Sequence, residues 1–292
     1  MQQQTLQFEV SPGFFLVGEG YGNPTAKPVL LLHGGGQTRH SWGDTARWIA
    51  ENGWYAIALD ARGHGDSSWA SNADYRIERL VDDLKAVIAQ LSAKPALVGA
   101  SMGGITSLLA EGETDENLAS AIVLVDIAPK TEQRGIERIF AFMSANADTG
   151  FGSLEEAASA VAAYLPNRPK PTDRHRLEKN LRLRADGRWY WHWDPQMLRL
   201  WKEQTKQPDY KIRSEERLYA AAHRLTIPTL IVRGGISDVV SEQVMVEFLD
   251  AVPHVRSVTV SEAGHMVAGD SNHSFSKAVI EFLNEVFPPN DK

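Results

Sequence analysis

The segment Gly99-Ala100-Ser101-Met102-Gly103-Gly104 follows the apolar run Ala96–Val98 and precedes a helical pattern. A serine at such a junction sits on a sharp turn with its Oγ exposed, and glycines on both sides let neighbouring backbone pass close by. The same turn aims the free N–H groups of a helix N-terminus at any developing negative charge. A serine hydroxyl is a weak nucleophile near neutral pH and needs a base. Of nine histidines, His265 is the best placed, because Glu262-Ala263-Gly264-His265-Met266 lies just beyond the last strand-like run. That puts it on a loop at the same sheet edge as Ser101. His192, His223 and His273 read better as partly exposed or core-edge imidazoles.

A histidine base needs an acid to hold its tautomer and to stabilise the imidazolium. Asp238, in Arg233-Gly234-Gly235-Ile236-Ser237-Asp238, follows the run that ends at Val232 and is the preferred candidate. Asp126 also ends an apolar run, Ile122–Val125, and is the rival. Asp270 reads as a loop-stabilising or helix-capping residue. Attack on a carbonyl makes an oxyanion, which needs preorganised N–H donors. Met102, directly after the nucleophile, is one, and Gly35 of His33-Gly34-Gly35-Gly36 is the other. Glycine can turn its N–H inward with no Cβ to obstruct substrate. No Gly-Lys-Ser/Thr follows that loop, which argues against a phosphate-binding role. His33 is expected to hydrogen-bond within its loop. In Asp60-Ala61-Arg62-Gly63-His64-Gly65-Asp66-Ser67, Arg62 and His64 are expected to satisfy loop carbonyls of a structural turn.

These residues need a frame that brings separate loops to one edge. Val29–Leu32, Trp54–Leu59, Ala96–Val98, Ile122–Val125, Thr229–Val232 and Ser257–Val260 read as strands. Most are continuous apolar runs, the mark of a parallel sheet covered on both faces. Between them Thr45–Asn52, Ile77–Leu91, Ser101–Ala110, Glu242–Ala251 and Phe275–Phe287 read as helices. In the second, Ile77, Leu80, Val81, Leu84, Val87, Ile88 and Leu91 form one stripe. Such alternation predicts an α/β fold with a doubly wound, mostly parallel sheet. From about Lys130 to Arg224 no β-rich run stands out. Ile136–Met143, Leu154–Tyr164, Arg174–Arg184 and Pro195–Gln204 have helical composition. The expected organisation is a core of residues 1–129 and 225–292 with a helical cap, 130–224, over the carboxyl edge of the sheet, where open α/β sheets bind ligands.

The 292 residues are 43% hydrophobic and 23% charged, with a formal net charge of −7 and no cysteine. The negative charge makes nucleic acid and anionic membrane surfaces poor partners. Arg182, Arg184 and Arg188 could hold an anion but read as a solvated face. Disulfides and thiolate metal sites are excluded. No HExxH, EF-hand or other metal spacing appears. No metal or cofactor is therefore expected. No signal peptide and no membrane span is read, so a cytoplasmic monomer or small homo-oligomer is the expectation.

Together, Leu32-His33-Gly34-Gly35-Gly36, the Asp60–Gly65 turn, the Ser101 segment, the Asp238 loop and Gly264-His265 resemble the α/β-hydrolase superfamily from about Pro28 to Phe287. Ser41-Trp42 after the glycine loop is similar to capped members of the epoxide hydrolase and haloalkane dehalogenase branch. Those enzymes carry Asp at the nucleophile position, where this chain has Ser101. The resemblance implies a serine hydrolase that cleaves small to medium apolar carboxylic esters through an acyl-enzyme. Phe140, Phe142, Met143, Trp189, Tyr190, Trp191, Trp193 and Trp201 are shared between cap core and pocket wall. A C–C bond hydrolase, a perhydrolase, or a ligand-binding receptor with a vestigial triad are the alternatives.

Overall fold

The structure, a computed structural model, describes residues 3–166, 177–261, 263–265 and 273–290. Its centre is an eight-stranded sheet of order β1-β2-β4-β3-β5-β6-β9-β10. The strands are β1 (Gln3–Ser11), β2 (Phe14–Tyr21), β3 (Pro28–Leu32), β4 (Tyr55–Leu59), β5 (Ala96–Ala100), β6 (Ala121–Val125), β9 (Thr229–Gly234) and β10 (Arg256–Val260). From β4 to β10 neighbouring strands run parallel, whereas β2 pairs antiparallel with both β4 and β1. The fold expected from the apolar runs is therefore present. The β1–β2 hairpin is an addition, although Leu6, Phe8 and Val10 alternate with polar residues at the period of two that a half-exposed strand requires.

The alternation of side chains along each strand sorts the core into two layers. Leu30, Ile57, Leu97, Ile122 and Ile231 face helices α2 (Ile77–Ile88), α3 (Met102–Gly112), α7 (Tyr210–His223) and α8 (Glu242–Ala251). Leu31, Ala58, Val98, Val123 and Val232 face α1 (Gly43–Glu51) and α9 (His273–Val286). Both faces are covered, which is why these strands read as unbroken apolar runs.

Between β6 and β9 the chain leaves the sheet through α4 (Gln133–Ala145), α5 (Leu154–Tyr164), a small hairpin of β7 (Leu181–Leu183) and β8 (Trp189–Trp191), α6 (Gln196–Thr205) and α7. Met143, Phe151, Ala157, Leu181, Trp193 and Leu198 form a third apolar cluster there. The helix expected over Arg174–Arg184 is corrected in its second half: residues 174–176 lie outside the described part, Leu177 and Glu178 are helical, and Leu181–Leu183 is a strand. The aromatic run Trp189–Trp191 is its partner, a pairing too short to show as a β-rich stretch. The last helix of the interval belongs with the core, since Ala221 and Ala222 of α7 are buried in the cluster that holds α3.

The interval is tied to the loop after β4. Gly65 N–H donates to His192 O (2.7 Å) and Asp194 N–H donates to Gly63 O (2.8 Å). The Tyr75 hydroxyl donates to Asp194 (2.5 Å). Arg182 pairs with Asp66 at 2.9 Å. Arg188 donates to the carbonyls of Thr149 and Gly150, and Arg184 lies over the Tyr190 ring. The three arginines thus serve local structure. Among the described residues no helix is long and apolar enough to cross a membrane.

Candidate active site

Strand β5 delivers Ser101 to the carboxyl edge of the sheet and α3 starts at the next residue. Ser101 adopts φ 46° and ψ −111°, a conformation an L-residue holds only when its surroundings enforce it. Two donations fasten it, Ser101 N–H to Val125 O (3.2 Å) and Ile105 N–H to Ser101 O (2.9 Å). The glycines permit the crossing of strand and helix. A Cβ at Gly99 would press on the Gly103 carbonyl oxygen at 2.4 Å, and one at Gly103 on the Leu32 carbonyl oxygen at 2.3 Å.

Gly35 and Met102 both line the cavity above Ser101. The neighbours of Gly35 are spoken for. Gly34 N–H donates to Gln37 Oε1 (2.9 Å) and Gly36 N–H to His64 Nε2 (3.1 Å). Met102 is the first residue of α3, so its N–H has no helical carbonyl to meet. The two loops are held by a pair of buried histidines in edge contact, His33 and His64, with centroids 4.7 Å apart. His33 Nδ1–H donates to Gly34 O and its Nε2 accepts from Ala61 N–H. His64 Nδ1–H donates to Arg62 O. Burial pushes both imidazoles below the usual histidine range, His64 furthest. Arg62 itself forks onto Asp83 at 2.6 and 2.7 Å, with one further bond to the Asp74 carbonyl. The buried Asp60 accepts from the Arg39 N–H, the Arg39 guanidinium and the Asp66 N–H, binding the segment after the glycine loop to the turn after β4.

His265 lies beyond β10 and lines the same cavity as Ser101. Its acid partner is Asp126, with Nδ1 to Oδ2 at 2.8 Å. A carboxylate only accepts, so Nδ1 carries the proton and Nε2 is the basic nitrogen. Asp126 is fully buried, and its own φ is 48°. Its other contacts are the Gly234 N–H (2.8 Å) and the Ser237 hydroxyl (2.5 Å). This corrects the expected acid. Asp238 is a third exposed and pairs instead with Arg138 of α4 at 2.7 Å. The loop after β9 does reach the histidine's partner, but through Ser237, one residue earlier, whose hydroxyl also accepts from Val239 and Val240 N–H. Asp270 lies outside the described residues. His223 is exposed at the end of α7, and the His273 ring rests against Trp48.

The cavity has a volume of about 1660 Å³. Its floor is the sheet edge with Gly35, Ser101, Met102 and His265, and its roof carries Phe140, Phe142, Met143, Tyr164, Trp191 and Trp201. Phe140 stacks on Trp201 and Phe142 on Tyr164. Trp193 lines the cavity too, while Trp189 and Tyr190 do not. The aromatic run is therefore divided between the cavity wall and the packing of the interval between β6 and β9.

A model of the alpha/beta hydrolase fold family matches residues 27–271. Esterase Rv0045c of Mycobacterium tuberculosis is 29% identical over 270 residues, which cover 90% of this chain and 83% of the esterase. The 3-hydroxybutyrate-oligomer hydrolase of Cupriavidus necator is 29% identical over 258 residues, covering 84% of this chain and 85% of that one. Among solved structures, E-2-(acetamidomethylene)succinate hydrolase superposes with a TM-score of 0.81 at 23% identity, over 97% of this chain and 100% of its own.

Proposed function

The chain belongs to the alpha/beta hydrolase fold family, and on that premise we propose that it is a serine hydrolase that cleaves carboxylic esters of small to medium apolar substrates. The observation that carries the reading is the buried Asp126–His265 pair opening onto the same cavity as Ser101. Relatives named as an esterase and as an oligomer hydrolase support it. The catalytic residues are Ser101, His265 and Asp126. Residues 130–209 act as the cap that shields the reaction from water.

In the reaction, Ser101 Oγ attacks the ester carbonyl as His265 Nε2 takes its proton. The carbonyl oxygen becomes an oxyanion, met by the N–H groups of Gly35 and Met102. As the tetrahedral adduct collapses, the ester C–O bond breaks and His265 gives the proton to the departing alkoxide. Water then attacks the acyl-enzyme with His265 again as base, releasing the acid and restoring Ser101. Asp126 keeps the imidazole in the productive tautomer and stabilises its cation, and does not itself exchange the proton. Ser237 and Gly234 hold that carboxylate.

The test is stoichiometric labelling by a fluorophosphonate together with hydrolysis of p-nitrophenyl esters of increasing chain length. Labelling and turnover should both vanish in Ser101→Ala, with kcat down by about 10⁴-fold or more. Full turnover in that variant would sink the proposal.

A further inference from the structure

Helix α3 is buried along its length except at Met102 and Ile105, and both of these line the cavity. Ser101, Ile105 and Leu109 follow one another four residues apart, so they run down one side of the helix, and the cavity follows all three. Ile77 and Leu80 of α2 and Leu218 of α7 line the cavity as well, and both helices pack against α3. Ile77, Ile105 and Leu218 are half-buried against the cluster that contains Leu109. The cavity thus has an aliphatic arm, different in lining from the aromatic roof. At about 1.5 Å per residue, the helix carries this arm about 12 Å from Ser101 to Leu109. Leu109 and Leu80 are only 2% and 8% exposed, so the arm narrows to a close there. One turn further along α3, the Arg217 guanidinium of α7 forks onto Glu113 at 2.6 and 2.9 Å and pairs with Glu78 of α2. Charges tie the three helices together at that end.

We propose that this arm receives the acyl chain, that Ile105 and Leu109 set its depth, and that the preferred substrates are esters of straight-chain acids of about eight to ten carbons. This rests on the serine-hydrolase reading. An extended alkyl chain of that length spans about 12 Å, the length of helix between Ser101 and Leu109. Each methylene moved from water onto the aliphatic lining favours the complex. The polar groups of α7 that share the cavity are engaged, Lys211 with Glu215 at 3.7 Å and Ser214 with Tyr210. A longer chain meets the ion-paired Arg217, which offers it no apolar surface. The leaving group assigns the arm to the acyl side. His265 must reach the departing oxygen, so the alcohol leaves on the His265 side and the acyl chain points the other way. In the sheet order, β5 with Ser101 lies between β4, which leads into α2, and β10, which leads to His265.

The experiment measures kcat/KM for p-nitrophenyl acetate, butanoate, hexanoate, octanoate, decanoate and tetradecanoate, all below micelle-forming concentrations. Ethyl and octyl acetate place the long chain on the alcohol instead. For the wild type, kcat/KM should rise at least about ten-fold from acetate to octanoate and fall again at tetradecanoate. Ile105→Phe fills the arm one turn below Ser101, and Leu218→Trp fills it from α7. Each should lower the octanoate-to-acetate ratio at least about ten-fold. The ratio is taken within one variant, so a loss of folded protein does not move it. A wild-type optimum at acetate or butanoate overturns the inference, as does an unchanged ratio in both variants. If the variants instead lower the octyl-to-ethyl acetate ratio and spare the p-nitrophenyl series, the acyl assignment is wrong. If the wild type hydrolyses none of the esters and Ser101 takes no fluorophosphonate label, the serine-hydrolase reading fails first and takes this inference with it.

Discussion

At the residue scale, the two aspartates show what a sequence can and cannot disclose about a catalytic acid. Asp126 and Asp238 both follow apolar strands, and both loops reach the neighbourhood of His265. The difference lies in side-chain direction. Asp126 is fully buried and turned onto Nδ1, while Asp238 faces outward to Arg138. No periodicity encodes that choice, because the loop after β9 spends Ser237 rather than Asp238 on the site. Asp126→Asn should lower kcat by about 10³–10⁴-fold with the fold intact, since an amide favours the wrong imidazole tautomer. Asp238→Asn should stay within about three-fold, as expected for a partly exposed ion pair that does not touch His265. Steady-state kinetics on one aryl ester decides this, and a reversed order would restore Asp238 as the acid.

At the scale of elements, the legible parts were those where one side-chain pattern dictates the outcome. The strands β3 to β6 and β9 announce themselves because burial on both faces leaves no room for polar residues. The turn at Ser101 is legible because only glycine tolerates the crossing of β5, α3 and β3. Gly99→Ala would drive a methyl group into the Gly103 carbonyl. It should cost about 3 kcal/mol or more in urea unfolding, beyond ordinary overpacking, because backbone cannot swing aside. A variant as stable as wild type would show that the elbow is slack. The β7–β8 hairpin was hidden for the opposite reason. Its strands are three residues each, and its aromatics serve the hairpin, the third apolar cluster and the cavity together.

At the scale of the whole molecule, the buried histidines link stability to pH. Burial depresses His33 and His64, and His192 is lowered to about 4, with Arg182 beside it adding to the effect. A folded-state value below the unfolded one means that the unfolded chain binds more protons in acid. Stability is therefore full above about pH 6.5 and declines as pH falls below it. The carboxylates lowered by arginines, Asp66 and Asp74, add their losses at still lower pH. The melting temperature should drop by at least about 5 °C between pH 7 and pH 5. A flat profile across that range would contradict the neutral, buried assignment. Because His64 accepts from the Gly36 N–H and the His192 carbonyl fastens the interval before β9 to the turn after β4, activity should be lost with the fold.

The excursion leaves β6 after Val125 at the carboxyl edge of the sheet and rejoins the adjacent strand β9 at Thr229, which pairs with Ile122 nearer the opposite edge. Because the return to β9 is made after α7, residues added before that helix only lengthen a loop, at little entropic expense, roughly 0.6 kcal/mol per doubling. The residues proposed as nucleophile, base and oxyanion donors, Ser101, His265, Gly35 and Met102, lie outside that excursion, and the proposed acid Asp126 stands at its very first position. A lineage can therefore rewrite the ceiling for a new guest while the wiring beneath is inherited unchanged. Grafts would do best between α4 and α7, the two helices moored to the framework.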